Sequence, residues 1–347
     1  MVRGGNGSDV GDGLDSISML CSLVAGATPV TTRNKPKRAN RVVADSRSNM
    51  NRTENMYEIP ALLAMTWSCA VLFAGCLSSG APTRAMYDAI ERGDLGEVQR
   101  LVCGGARVDS SDSLGRSPLY QAALFGHLDI AEYLLSHGAN SEQGASWKGG
   151  DTPLHVAAER GNAEMVRVLL EKGARVDSVN YYQQTPLLYA SWKCHLPVVE
   201  LLLAHSANVG VKDKWGATVL LNRCGEPFHW SEYRGVVAVL IQHGADVNAR
   251  GGGDKNTPLM AAIWRKDREV VELLIRNGAR IEDVGRNGHR PLCEAVLTGE
   301  STLVKCLLSH GANPTAKCRE GTALALAMKL GDEAVVNLFL KAKGEGR

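Results

Sequence analysis

From about residue 83 onward, apolar and polar positions alternate with helical period, in short runs broken by glycine. The stretch from Asp151 to Ala174, DTPLHVAAERGNAEMVRVLLEKGA, carries the pattern in its clearest form. Thr152-Pro153 predicts a helix start, with Thr as the N-cap acceptor and Pro at the first position, where no backbone donor is needed. Ala157 and Ala158 make one face of that helix thin, and Gly161-Asn162 ends it. A second helix is predicted from Met165, Val166, Val168, Leu169 and Leu170, whose three- and four-residue spacing draws an apolar stripe. Gly173 closes it as a left-handed C-cap. Two helices this short, joined by a tight turn, expose a stripe on each side, so the pair is stable only when similar pairs stack on it.

The chain supplies those pairs. The Gly-Ala that follows the second helix recurs at Gly105-Ala106, Gly138-Ala139, Gly173-Ala174, Ser206-Ala207, Gly244-Ala245, Gly278-Ala279 and Gly311-Ala312, at intervals of 33, 35, 33, 38, 34 and 33 residues. Helix starts recur with it: TPLH at Thr152, TPLL at Thr185, TPLM at Thr257, SPLY at Ser117 and RPLC at Arg290. A period near 33 combined with TPLHxA resembles the ankyrin repeat, over roughly Thr83 to Leu340. The resemblance implies an all-α fold, an ankyrin-repeat solenoid of stacked helix-turn-helix units with short hairpin-like loops along one edge. Residues 83–347 are assigned to the repeats, about seven to eight units with their caps. The first includes MYDAIERGDLGEVQRLVCGGA, where Asp88, Glu91, Arg92 and Asp94 give a terminal unit its polar face.

Composition changes this picture mainly at the N-terminus. The net charge of the 347-residue chain is +2, and residues 1–60 hold eight Lys or Arg and six Asp or Glu, which leaves 31 of each for the rest. The repeats therefore carry no general electrostatic footprint of a nucleic-acid binder. Residues 1–55, with a basic run from Arg33 to Arg52, read as a disordered segment. Pro60 to Leu77, PALLAMTWSCAVLFAGCL, has no charge in 18 residues. Two readings stay open for it, a single-pass anchor, slightly short for a span of about 20 residues, and a signal segment. Leu72-Phe73-Ala74-Gly75-Cys76 resembles the end of a bacterial lipoprotein signal, which implies lipidation of Cys76 and a polar tether at 77–82. The leader ahead of it is too long for a signal n-region unless translation starts at Met50 or Met56. In either reading the preceding basic residues put the repeats across the membrane from the cytoplasm, in a periplasmic or extracytoplasmic location.

Candidate chemistry is sparse. Cys103, Cys194, Cys224, Cys293, Cys306 and Cys318 show no C-x-x-C spacing, so structural thiols are expected rather than a metal site, and which pair an oxidising compartment would join is open. His137, His205, His243 and His310 each precede the Gly/Ser-Ala break. Neighbouring units lie roughly 10 Å apart, too far to share a zinc held at about 2 Å per ligand, so these rings are expected to bond the last carbonyls of their own helices. For His155 the resemblance implies a bond to loop backbone. The fifth unit departs from the pattern with NRCGEPFHWSEYR, residues 222–234, in which Pro227 interrupts a helix. Glu226 and His229 there are an imaginable acid-base pair, but no nucleophile, metal triad or phosphate loop accompanies them, and no enzyme activity, cofactor or metal is expected.

What the resemblance implies for binding lies in two variable rows. The two residues after the Ala-Ala pair face the concave groove: Glu91-Arg92, Leu124-Phe125, Glu159-Arg160, Trp192-Lys193, Gly225-Glu226, Trp264-Arg265, Leu297-Thr298 and Lys329-Leu330. The loop tips carry Trp147-Lys148, Tyr181-Tyr182 and Lys214-Trp215. Aromatics make up only 5% of the chain, yet Trp147, Trp192, Trp215 and Trp264 all occupy these rows. Trp, Tyr and Arg are the residue types that most often anchor interfaces. The partner-binding set is therefore Phe125, Trp147, Arg160, Tyr181, Tyr182, Trp192, Lys193, Trp215, Trp264 and Arg265. The expected protein is a monomeric, non-catalytic, membrane-tethered scaffold that holds a protein partner and no nucleic acid. The alternatives are an anchored or effector-type intracellular interaction protein and an enzyme built on the insertion.

Overall fold

A computed structural model of the chain describes residues 81–221, 230–251, 256–285, 287–315, 317–319 and 321–344. These fall within Leu62–Arg347, one of two units into which the chain divides. The expectations for residues 1–55, for the signal or anchor at 56–76 with Cys76, and for 77–80 of the tether lie outside the described residues, as do those for Cys224, Gly225, Glu226 and His229.

Helix α1 (Ala81–Arg92) opens two residues ahead of the expected Thr83, with Pro82 in its first turn, where a missing N–H is tolerated. It pairs with α2 (Leu95–Cys103). The succeeding pairs are α3 (Pro118–Phe125) with α4 (Leu128–Ser136), α5 (Pro153–Arg160) with α6 (Ala163–Glu171), and α7 (Pro186–Trp192) with α8 (Leu196–Ala204). Helix α9 (Trp230–Gln242) follows, then α10 (Pro258–Trp264) with α11 (Arg268–Arg276), α12 (Pro291–Thr298) with α13 (Ser301–Ser309), and α14 (Ala323–Leu330) with α15 (Glu333–Gly344). A two-residue antiparallel pair, β1 (Lys317–Cys318) with β2 (Gly321–Thr322), forms the last loop.

Local chemistry sets each boundary. Ser117, Thr185, Thr257 and Thr322 accept the N–H of Tyr120, Leu188, Met260 and Ala325 and so cap the first helices of their pairs. Asp94, Asn162, Asp267 and Asp332 cap second helices in the same way. The recurrent Gly-Ala is a Schellman closure. Gly173 lies at φ 90°, and the Ala174 N–H donates to the Leu169 carbonyl at 2.9 Å, while the Ala side chain is buried. Ala139, Ala207, Ala245, Ala279 and Ala312 repeat that bond at 2.9–3.0 Å. Ser206, which stands where the other units have Gly, takes the same left-handed conformation at φ 63°.

The pairs stack in two rows. Helices α1, α3, α5 and α7 adjoin in order, as do α10, α12 and α14, while α2, α4, α6, α8, α9, α11, α13 and α15 form a second row without a break. Both rows feed one apolar core from Met86 to Phe339. On α5, Leu154, Val156, Ala157 and Ala158 are all fully buried, and on α6 so are Met165, Val166 and Leu169. A nine-residue helix is marginal by itself. Burying three such side chains, at roughly 2 kcal/mol each, is what holds it.

The fifth unit departs from the helix pairs of its neighbours, and the structure narrows the insertion read at 222–234. Ala217–Leu221 forms a turn rather than a first helix, with Val219 and Leu220 buried at 1% and 2% exposure. The second helix starts at Trp230, so the last five residues assigned to the insertion are helical. The reason is packing: Tyr233 is 3% exposed and lies in register with buried Val236, Val237 and Leu240.

Cys293, fully buried on α12, is disulfide-bonded to Cys318 in β1, 25 residues away. Cys194 is disulfide-bonded too, whereas among the described residues Cys103 and Cys306 are free. The Cys293–Cys318 bond closes a loop whose chain-entropy effect is on the order of 3 kcal/mol. Replacing both residues by Ala is expected to lower stability by about 2–4 kcal/mol, read as the urea midpoint of the oxidised protein. An unchanged midpoint would refute a stabilising role.

A candidate partner-binding edge

The loop tips of neighbouring units are tied to one another. The Tyr181 N–H donates to the Gly149 carbonyl at 2.7 Å, and the Lys214 N–H to the Tyr182 carbonyl at 2.9 Å. Gly149 and Gly150 have positive φ, and a Cβ on either would lie 2.5 Å from the Tyr182 ring or 3.0 Å from that of Tyr181, so these glycines admit the rings. Beneath the tips lies a buried polar network. Asp151, 1% exposed, accepts from Asn180 Nδ2 at 2.7 Å and from the Tyr189 hydroxyl at 3.0 Å. Asn180 Oδ1 accepts the N–H of Tyr182 and of Gln184 and sets the turn. Burial, with the facing Asp151 carboxylate, holds the Tyr189 hydroxyl well above the ordinary pKa of 10 and keeps it a donor. In the next loop Asp213 Oδ1 accepts from the N–H of Trp215 and Ala217.

On this frame the rings of Tyr182 and Trp215 stack at 5.5 Å and 21°, and Lys214 Nζ lies 4.0 Å from the first centroid and 4.5 Å from the second. Tyr181 is 74% and Trp215 54% exposed. A stacked aromatic pair capped by a cation gains attraction from ring quadrupoles and charge, about 0.5–1 kcal/mol for each exposed cation–π contact.

The remaining predicted residues fall into different surroundings. Phe125 and Trp264 are open at 43% and 41%, and Arg160 and Lys193 are exposed. Trp264 Nε1 donates to Oε2 of Glu294, a buried carboxylate, at 2.8 Å, which fixes the indole in the row. Trp192 is half-buried, packed on the core with its ring 6.1 Å from Tyr189. The Arg265 guanidinium covers the buried Tyr233 ring at 4.7 Å. These last two residues do packing work that the sequence pattern alone did not attribute to them. Trp147 lies in the 3-10 turn Ser146–Lys148, and its side chain is outside the described residues. Lys214, named with the loop tips, was not in the partner-binding set, and Asp151, Asn180 and Glu294 were in neither row. Only the adjacency of Lys214 to Trp215 carried a signal.

Histidine serves structure. His155 Nδ1 receives the Thr152 N–H at 3.2 Å and Nε2 bonds the Gln184 carbonyl at 2.9 Å, linking one unit to the next as the resemblance implied. His137, His243 and His310 bond the carbonyls of Tyr133, Val239 and Cys306, four residues back. Among the described residues no group of three His, Cys, Asp or Glu is placed to hold a metal ion. No helix among them is long and apolar enough to cross a membrane.

The described residues form an all-α repeat array whose loop tips and first helices leave several aromatic and basic side chains exposed. Models of ankyrin repeats match residues 141–213, and residues 86–135 and 235–275. The chain carries ankyrin repeats, and its described residues form an ankyrin solenoid. It is 30% identical over 261 residues to the human Ankyrin repeat and SOCS box protein 16, covering 72% of this chain and 57% of that protein. To human Inversin it is 30% identical over 252 residues, 69% of this chain and 22% of that protein. To Protein fem-1 homolog A-like from Mus musculus it is 33% identical over 253 residues, 69% and 37%. The chain thus spans a little over half of the first and about a fifth of the second of these proteins.

A pH dependence follows from His155. Burial lowers its pKa below the ordinary 6.5, so the unfolded chain takes up a proton at higher pH than the folded one. The stability this neutral ring contributes is complete above about 6.5 and declines as pH falls below it. His155→Asn is expected to cost about 2 kcal/mol at neutral pH and to flatten the acid slope of the urea midpoint. A variant with the wild-type slope would sink the assignment.

Proposed function

We propose that the array is a non-catalytic scaffold that captures a protein partner along the edge and groove around Tyr181, Tyr182, Trp215 and Trp264, and that it is tethered to a membrane by the segment at 56–76. The observation that carries the binding role is the Tyr182–Lys214–Trp215 stack, large aromatic surface kept ordered yet exposed and not needed by the core. Anchors of this kind contribute on the order of 2 kcal/mol or more when an interface covers them. Repeat arrays also leave this face free of stacking duties. For the tether, the support is the uncharged run from Pro60 to Leu77 and the Leu-Phe-Ala-Gly-Cys ending at Cys76. Two disulfide-bonded cysteine sites in the repeats agree with an oxidising, extracytoplasmic location.

Affinity capture from native membranes tests the first part. The double variant Y182A/W215A is expected to lose at least about tenfold in recovered partner while its stability changes by less than about 1 kcal/mol; undiminished recovery would remove the edge from the proposal. Metabolic labelling with a fatty acid tests the second. Wild type is expected to incorporate label and sediment with membranes, and C76A to do neither; an unlabelled wild type would overturn lipidation, and a soluble one the tether as well.

A further inference from the structure

We infer that the stretch of groove and edge from α5 to the Lys212–Trp215 tip takes an extended, acidic peptide segment of the partner. This rests on the scaffold reading above and adds the chemistry of the occupant. Carboxylates here are drawn inward or engaged. Asp151 and Asp213 are 1% and 6% exposed and hydrogen-bonded within the loops. Glu159 pairs with Lys148 and Glu142 with Arg175, and Asp177 accepts the N–H of Asn208. Cations turn the other way. Arg160, Lys193 and Lys212 are exposed, with no ion pair among the described residues, and Lys214 caps two rings rather than an acid. A surface whose acids are buried or engaged in bonds, Asp177 remaining exposed, and whose cations stand unpaired among the described residues favours a negatively charged partner and steers it in.

Spacing sets the shape of the occupant. The cations belong to three successive units, each roughly 10 Å from the next, so they span about 20 Å, the reach of about six residues of extended chain at about 3.3 Å each. The Tyr182–Trp215 platform at one end suits an apolar or aromatic side chain between carboxylates. Nucleic acid fits less well. Beyond residue 60 the charges balance at 31 of each sign, and about four cations neutralise too few phosphates for tight binding at physiological salt.

The experiment measures fluorescence anisotropy of a dye-labelled peptide alternating Glu and Tyr on the full chain, beside the same peptide with Lys in place of Glu, a single-stranded oligonucleotide, and vesicles of anionic phospholipid. The acidic peptide is expected to bind, to weaken with added salt, and to lose about tenfold in affinity when R160E, K193E and K212E are combined, a variant that leaves the Lys214 cap in place and whose melt stays at that of wild type. That charge-reversed variant is expected to gain affinity for the Lys peptide. The inference is overturned if the two peptides bind wild type alike, if the triple variant binds the acidic peptide as wild type does, or if oligonucleotide or vesicles bind more tightly. Capture from native membranes separates the two levels. Loss with Y182A/W215A but not with R160E/K193E/K212E removes the acidic class and leaves the scaffold; loss with neither removes both.

Discussion

No helix pair in this chain buries its own apolar face, and that deficit dictates the architecture. The Ala157-Ala158 face of α5 is thin enough to admit its neighbours, and α5 adjoins α3 before it and α7 after it as well as its own partner α6. Stability therefore resides in the junctions between units, in keeping with a linear array in which each repeat contacts only its neighbours. The polar bonds reinforce the same junctions. His155 reaches the Gln184 carbonyl in the next unit, and His195 Nε2 bonds the Glu159 carbonyl in the previous one. Gly161, left-handed at φ 72°, has room for that second ring only because it lacks a Cβ, which would lie 2.6 Å away.

Most of this was legible in the chain because the signals are local. Thr-Pro at a helix start and Gly-Ala at a helix end each act within a single turn, and Ala174 shows why the second of these is a pair. Gly supplies the left-handed conformation, and the following residue donates back to Leu169 while filling the core. The fifth unit was harder to read. Its Thr218 carries no Pro, and Tyr233, which joins the buried register of Val236, Val237 and Leu240, lay inside the segment 222–234 set apart as an insertion. The Cys293–Cys318 pairing joins a helix to the following loop, a relation that only the stacked fold creates.

The edge was legible in part. The variable rows identified which positions stacking leaves free, but not what each side chain does there. Trp192 and Trp264 occupy equivalent places in their units, yet one packs on the core and the other stands out on a buried carboxylate. The difference comes from Glu294, 30 residues away in the next first helix. Lys214 was similarly hidden, since a lysine beside a tryptophan is unremarkable until Tyr182 from the preceding loop arrives beneath it.

The main-chain bonds from Tyr181 to Gly149 and from Lys214 to Tyr182 have a consequence for recognition. Loops that stand alone in water sample many shapes and surrender that freedom only when a ligand arrives, which lowers affinity. Here each tip is braced by its neighbour, and Asp151 and Asp213 lock the turns from below. The ordering entropy is lost once, as the repeats assemble, so in the proposed role a docking molecule would meet tips already braced.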